Sequence, residues 1–361
     1  MIFSSSYDGH YARDLAHGFH ESGIEIGFIS LKNAVRPNWL EDHLAKDLSS
    51  CFREDMTLFK KIIHTITVVR NFKPNIIQTH LFHAGIIGLL VGKLLGIPVI
   101  HTRHHIDEHY QSGTFIHRLI DRITAKRANH VVVCSSAARK WLVEIEGVNK
   151  SHISVINQGF DFNHLKPSVA SIKNAKSELG FSADKLNIIC VARYSRAKGQ
   201  DYLLYALSKL VETNQSITLT FMGPGESGWL IKLVEELNLG MYVKVLSARN
   251  DIPACICASD IVIHPSLADS FSQLVIEAQA VGGVLVATDI AAAQEQIIDG
   301  ITGLIVPPRD SNAIVEAVQR LLREPELALS LRINGPLHVR KKFTWERMMV
   351  EEIFCLESYL K

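Results

Sequence analysis

The sequence is poor in the features that mark several function classes. No Asp-x-Asp occurs in its 361 residues, so the usual carboxylate couple for a bound Mg²⁺ or Mn²⁺ is missing. The 17 histidines are scattered, with neither paired metal-ligand spacing nor a His-Glu-x-x-His helix. Six cysteines are too few for a disulfide framework and fit a reduced, cytoplasmic compartment; Cys255 and Cys257, two apart, are explained by burial. Charge of one sign is not in excess: 38 Lys and Arg face 37 Asp and Glu, so no global field marks a nucleic-acid binder and any anion site must be local. The longest apolar run, Ala84 to Ile100, is broken by Lys93, glycines and Pro98, and falls short of the ~20 residues that span a bilayer. Met-Ile-Phe-Ser-Ser-Ser carries no basic segment, and export is not expected.

What the chain does have is length and alternation. At 361 residues it exceeds the size at which one core stops growing, and 47% hydrophobic residues can fill two. Short apolar runs alternate with amphipathic segments, which predicts β-α units feeding parallel sheets. The runs are Ile24–Ile29, Asn75–Thr79, Pro98–His101, Val131–Cys134 and Ile153–Ile156, then Asn187–Val191, Thr218–Met222, Val243–Leu246, Ile261–His264, Val284–Ala287 and Gly303–Val306. Apolar residues every three or four positions predict core-facing helices over Arg53–Asn71 and Thr114–Arg127. The alternation stops between Asn157 and Pro167, so the expected domains are 1–165 and 166–343, with 344–361 as a helix returning to the first.

Three stretches carry chemistry. Val191-Ala192-Arg193-Tyr194-Ser195-Arg196-Ala197-Lys198-Gly199 follows a predicted strand, so its cations gather at a carboxyl end where a diphosphate can be clamped, although a solvated basic loop explains them equally. Met222-Gly223-Pro224-Gly225 permits close backbone approach but lacks a Walker motif and a complete Gly-x-Gly-x-x-Gly. The third runs from His264 to Ala278. With a helix starting near Ser270, amides of Phe271, Ser272 and Gln273 point at an anion, and Asp269 stands at the same mouth unless it is an ordinary N-cap. Glu277, eight residues on and ~12 Å along such a helix, sits among Leu274, Val275, Ile276 and Ala278, where a carboxylate needs a partner or a ligand.

These motifs resemble the retaining glycosyltransferases of family 4 (glycosyl transferases group 1), over nearly the whole chain. The resemblance implies an α/β GT-B fold, two facing Rossmann-like domains with an inter-domain cleft. It implies that Arg193 and Lys198 hold the donor diphosphate, that Asp269 faces the donor sugar, and that Glu277 faces the ribose, Asp269 and Glu277 matching the family's Glu-x7-Glu with Asp in first place. Amides of Ser270, Phe271, Ser272, Gln273 and Leu274 would surround the phosphates, the backbone at Leu246 would read the base, and Gly223 would line the donor. In the first half His101-Thr102-Arg103-His104 resembles the family's His-Thr-x-His, making His104 the residue that approaches the sugar, and Tyr7-Asp8-Gly9-His10 resembles a loop that places Gly9 beside the substrates. Ala291-Ala292-Ala293 stand where the family often has paired glycines.

The expected reaction moves a hexose from a nucleoside-diphosphate sugar to an acceptor hydroxyl on a glycan, a lipid-linked sugar or a small molecule, with retention and with no cofactor or metal. A sugar-nucleotide epimerase and a non-catalytic sugar-nucleotide or glycan binder are the alternatives. Nucleic acid is not an expected partner. Peripheral contact with the cytoplasmic face of a membrane is the remaining expectation on partners, although core packing accounts better for Leu89, Val91, Leu94 and Leu95.

Overall fold

A computed structural model describes residues 2–4, 10–31, 45–48, 57–104, 114–163, 165–290 and 293–360. The chain divides into two compact units, Met1–Gly159 with Trp345–Lys361, and Phe160–Thr344.

In the first unit, β1 (Ile2–Ser4), β2 (Gly27–Ser30), β3 (Lys46–Asp47), β4 (Ile77–His80), β5 (Val99–Arg103), β6 (His130–Val133) and β7 (Ile153–Val155) form one parallel sheet in the order β3-β2-β1-β4-β5-β6-β7. Every residue of β4, β5 and β6 is buried, as expected of strands covered on both faces. The order reverses between β1 and β4, the kind of switch point where open α/β sheets bind ligands. The helices are α1 (His10–Glu21), α2 (Leu58–Phe72), α3 (Phe82–Leu95), α4 (Phe115–Arg127) and α5 (Ser136–Glu144). Thr57 caps α2 by accepting from the Lys60 amide, so the helix begins five residues after the predicted Arg53.

The α4 helix departs further from expectation. Its inward residues are Asp121, Thr124 and Ala125, while Phe115, Leu119 and Ile123 face outward. Asp121 is drawn in by Arg103, whose guanidinium is 3.1 Å from it and makes two 2.8 Å hydrogen bonds to Glu146. All three charges are nearly sealed from solvent. Such a cluster outweighs the transfer of a few apolar side chains, because an unpaired buried charge costs more than they return.

The second unit repeats the plan with β8 (Leu186–Val191), β9 (Ile217–Met222), β10 (Val243–Leu246), β11 (Ile261–His264), β12 (Leu285–Thr288) and β13 (Leu304–Val306), parallel and ordered β10-β9-β8-β11-β12-β13. Its helices are α6 (Val169–Glu178), α7 (Gln200–Thr213), α8 (Gly228–Glu236), α9 (Ile252–Ala258), α10 (Gln273–Ala280), α11 (Ala293–Gln296), α12 (Ser311–Arg323) and α13 (Pro325–Lys342). The switch point falls between β8 and β11, next to the basic stretch. The unit starts at Phe160 rather than at 166: the Phe160 amide donates to the Phe343 carbonyl, and Phe160 bridges Thr344.

After this unit, α14 (Trp345–Glu357) completes the first one. Met348 and Met349 are buried in a cluster with Leu15, Phe19 and Phe28, and Trp345 Nε1 donates to the Asp14 carbonyl.

Candidate functional site

At the carboxyl ends of β8, β9 and β11, three loops are stitched into one surface by close backbone contacts. Gly223 is there because nothing larger fits: a Cβ on it would stand 2.0 Å from the Ala192 carbonyl oxygen. Gly199 carries the same constraint twice, since its φ is 62° and a Cβ would meet the Pro265 oxygen at 2.0 Å. Hydrogen bonds finish the seam, from the Tyr194 amide to the Pro224 carbonyl and from the Leu267 amide to the Ala197 carbonyl. Gln200, fully buried, braces the β8 loop from beneath by accepting from the Ser195 amide and donating to the Arg193 carbonyl.

The three cations of the β8 loop have different fates. Arg193 is exposed, and among the described residues its guanidinium has no hydrogen bond or ion pair. Arg196 is engaged elsewhere, stacked 4.2 Å over the Trp229 ring and 3.2 Å from Asp201. Lys198 points into the next loop, where Nζ lies 2.7 Å from Asp269 Oδ2.

Asp269 thus has Lys198 on one side and His264 Nε2 at 3.7 Å on the other. Burial by itself would raise its carboxyl pKa, but the neighbouring His264 ring and the Lys198 ammonium outweigh that and hold it below the ordinary carboxylate value. The void behind it, between His264, Thr288 and Gln296, measures about 10 Å³, the room of a single water. Among the described residues, that void holds nothing larger than a water beside Asp269.

The helix after Asp269 is shorter than expected. It begins at Gln273, with Ser272 at the N-cap, so Asp269 is not a cap residue and the ~12 Å helical separation from Glu277 does not apply. Gln296 enforces this start: it accepts from the Ser272 amide at 3.1 Å and donates to the Ser272 carbonyl at 2.8 Å. The Ser272 amide is therefore already spoken for, Ser270 is buried, and Phe271 packs edge-on against Phe343. The Ser272 hydroxyl lies 3.2 Å from His264 and does not cap α10, which leaves the first-turn amides of the helix, those of Gln273 and Leu274 among them, without a side-chain cap. Further along α10, Glu277 has no side-chain partner among the described residues, and burial pushes its carboxyl up to about 7. At Leu246 the carbonyl already accepts from the Tyr194 hydroxyl and the Gly223 amide.

The first unit presents imidazoles at the equivalent strand ends. His80, buried at the end of β4, and His104, just after β5, bring Nδ1 and Nε2 within 3.0 Å, with rings stacked 5.3 Å apart. Burial, then His104 and His101, hold His80 well below the ordinary histidine value, so it is neutral near pH 7. His101 is lowered to about 3 by burial and by Arg103, and its Nδ1 is 2.9 Å from Thr79 Oγ1. Sequence reading missed His80, Gln200, Gln296 and the His264 contact; only His264, inside a quoted motif, left a local signal. Gly9, Ala291 and Ala292 lie outside the described residues.

Comparison with known proteins follows the same division. The model of the family Glycosyl transferases group 1 matches residues 171–338, and that of Glycosyltransferase Family 4 matches residues 9–164. A D-inositol 3-phosphate glycosyltransferase of Corynebacterium urealyticum is 27% identical over 75% of this chain and 68% of its own length. One of the same name from Pseudarthrobacter chlorophenolicus is 26% identical over 97% and 89%. Among solved structures, Anabaena HepE in complex with UDP and glucose superposes with a TM-score of 0.85 at 21% identity, covering 99% of each chain. Sucrose-phosphate synthase of Thermosynechococcus elongatus gives 0.81 at 22%, covering 99% of this chain and 98% of that one.

Proposed function

The chain belongs to the family 4 (group 1) glycosyltransferases of GT-B fold, and from that premise we propose that it transfers a hexose from a nucleoside-diphosphate sugar to an acceptor hydroxyl, with retention and without a metal ion. The observation that carries this reading is the partly open Lys198–Asp269 pair at one sheet's switch point, with Arg193, which has no ion pair among the described residues, in the loop of Lys198 and the uncapped first turn of α10 following Asp269 in the chain. HepE, solved with UDP and with UDP-glucose, makes a uridine diphosphate the first donor to try.

In the proposed reaction the bond from C1 of the sugar to the β-phosphate oxygen breaks while the acceptor oxygen bonds to C1 on the same face. The acceptor proton goes to the departing phosphate oxygen. Negative charge grows on the diphosphate as this happens, and Arg193, Lys198 and the Gln273 and Leu274 amides are fixed where they lower its energy. A diphosphate arriving at Lys198 replaces Asp269 as its counter-ion, which releases the Asp269 carboxylate to accept from sugar hydroxyls. Glu277 takes the ribose hydroxyls, and the family resemblance adds His104 to the donor sugar. The lack of any Asp-x-Asp supports leaving the phosphate charge to these cations and amides.

A thermal-shift screen of UDP-, GDP-, ADP- and CMP-sugars tests the reading, since a donor that binds only the native state must raise the melting temperature. One nucleotide series is expected to stabilise the wild type and to lose that effect in Arg193→Ala. Transfer from that donor is expected to survive EDTA. Stabilisation by none of the four, or equal stabilisation of Arg193→Ala, overturns the proposal.

A further inference from the structure

Strand β11 ends in a residue that its surroundings do not require. Ile261, Val262 and Ile263 are apolar and buried, as a strand covered on both faces must be, yet the fourth position is His264, 4% exposed. A polar ring sealed at such a place needs partners, and this one has them at one nitrogen only. Nδ1 is buried and has no hydrogen-bond partner among the described residues. Nε2 faces the stretch that follows the strand, with Ser272 Oγ at 3.2 Å and Asp269 Oδ2 at 3.7 Å. The ring thus belongs to the wall of the water-sized void behind Asp269, together with Thr288 and Gln296.

Lys198 Nζ and His264 Nε2 approach the same oxygen of Asp269. The ammonium holds it at 2.7 Å, whereas the ring at 3.7 Å stands about 0.9 Å short of the ~2.8 Å of a charge-assisted hydrogen bond. A carboxylate only accepts, so the ring can serve Asp269 only with its proton on Nε2. In the counter-ion exchange described above, on which the inference rests, the ammonium leaves Oδ2 for the diphosphate. The one ionisable neighbour that Asp269 then keeps among the described residues is the imidazole. A carboxylate with 21% of its side-chain surface open, and without its ammonium, is free to turn between rotamers unless a second donor takes it up.

We propose that His264 is a positioning residue for Asp269: as the diphosphate draws Lys198 away, His264 Nε2–H closes onto Oδ2 and keeps Oδ1 turned towards the sugar hydroxyls. The ring touches neither sugar nor phosphate and transfers no proton. It acts through Asp269 alone, as the outer partner that fixes the aim of a group in contact with substrate.

Kinetics with the nucleotide sugar that stabilises the wild type test it. His264→Leu is expected to lower kcat about tenfold or more and to leave KM for the donor within about threefold, because the aim of the carboxylate is lost and the diphosphate contacts are kept. His264→Gln, whose amide nitrogen can stand where Nε2 does, is expected to bring kcat back to within about threefold of the wild type. In an Asp269→Ala background, on the residual turnover, His264→Leu is expected to cost less than about twofold more, since residues that act as one unit are not additive. A ring that only fills the core would cost as much in both backgrounds. Nitrogen NMR of histidine-labelled protein supplies a readout without turnover. The His264 signal, assigned from its loss in His264→Gln, is expected to be that of the Nε2-protonated tautomer, and to move when inorganic pyrophosphate is added to the wild type but not to Asp269→Ala. An undiminished loss in the Asp269→Ala background, a His264→Gln enzyme no faster than a folded His264→Leu one, or a proton on Nδ1 overturns the proposal. A chain that no nucleotide sugar stabilises sinks the transferase reading instead, and the spectrum then still decides whether His264 serves Asp269.

Discussion

Two carboxylate–cation clusters, one from each unit, are built to opposite ends. In the first, Arg103, Glu146 and Asp121 are 6%, 0% and 9% exposed at the side chain and pair with one another at 2.8 and 3.1 Å. In the second, Lys198 and Asp269 keep 24% and 21% of their side-chain surface, and Arg193 of the same loop as Lys198 is exposed with no ion pair among the described residues. A sealed cluster fixes strand β5 to helix α4 and cannot exchange partners. One left partly open can trade its counter-ion for a ligand, so solvent access separates scaffold from chemistry more clearly than residue type does.

Substitutions can break or sharpen that contrast. The largest effect is expected from Lys198→Ala: turnover on a nucleotide sugar falls by about a thousandfold or more while circular dichroism stays native. Retained turnover would end the contrast. Glu146→Ala is expected to do the reverse, costing about 3–5 kcal/mol of stability by taking from the buried Arg103 the carboxylate that makes its two 2.8 Å hydrogen bonds, as read from denaturant midpoints. Gly223→Ala tests the seam between the loops. The Ala192 carbonyl must move, and a loss of about 1–3 kcal/mol together with weaker donor stabilisation is expected from melting curves with and without donor.

The smallest expected effect belongs to Glu277. Its folded carboxyl titrates at about 7, above the 4.5 of an unperturbed glutamate, so the native state holds an extra proton between those values. Stability therefore falls as pH rises through that window. Glu277→Gln is expected to raise the melting temperature by a few degrees at pH 8 and to match the wild type below pH ~4.5. An equal difference at both values would mean that burial of the charged form is not the cause.

Local patterns carried most of the fold. The buried strands β4, β5, β6, β9 and β11 lie within or overlap the apolar runs marked in the sequence, because a strand covered on both faces must be apolar at every step. The basic stretch after β8 and the motif after β11 were likewise visible, since a βα loop is contiguous in sequence. What escaped is what links distant positions. His80 meets His104 from 24 residues away, Glu146 meets Arg103 from 43, and Gln296 sets the start of α10 from 24. Periodicity also misjudged α4, because a stripe every four residues does not say which side of a helix faces the sheet.

The return of α14 to the first unit has a consequence for the order of synthesis. Phe160–Thr344 is an uninterrupted stretch whose ends already meet, so it can acquire its structure as it leaves the ribosome. The part of the first unit that precedes it must wait, because the cluster around Leu15, Phe19 and Phe28 lacks Met348 and Met349 until α14 is translated. The portion born first is thus the portion finished last, and a released chain truncated after Thr344 should present that unfilled cluster to chaperones alongside an intact Phe160–Thr344 unit.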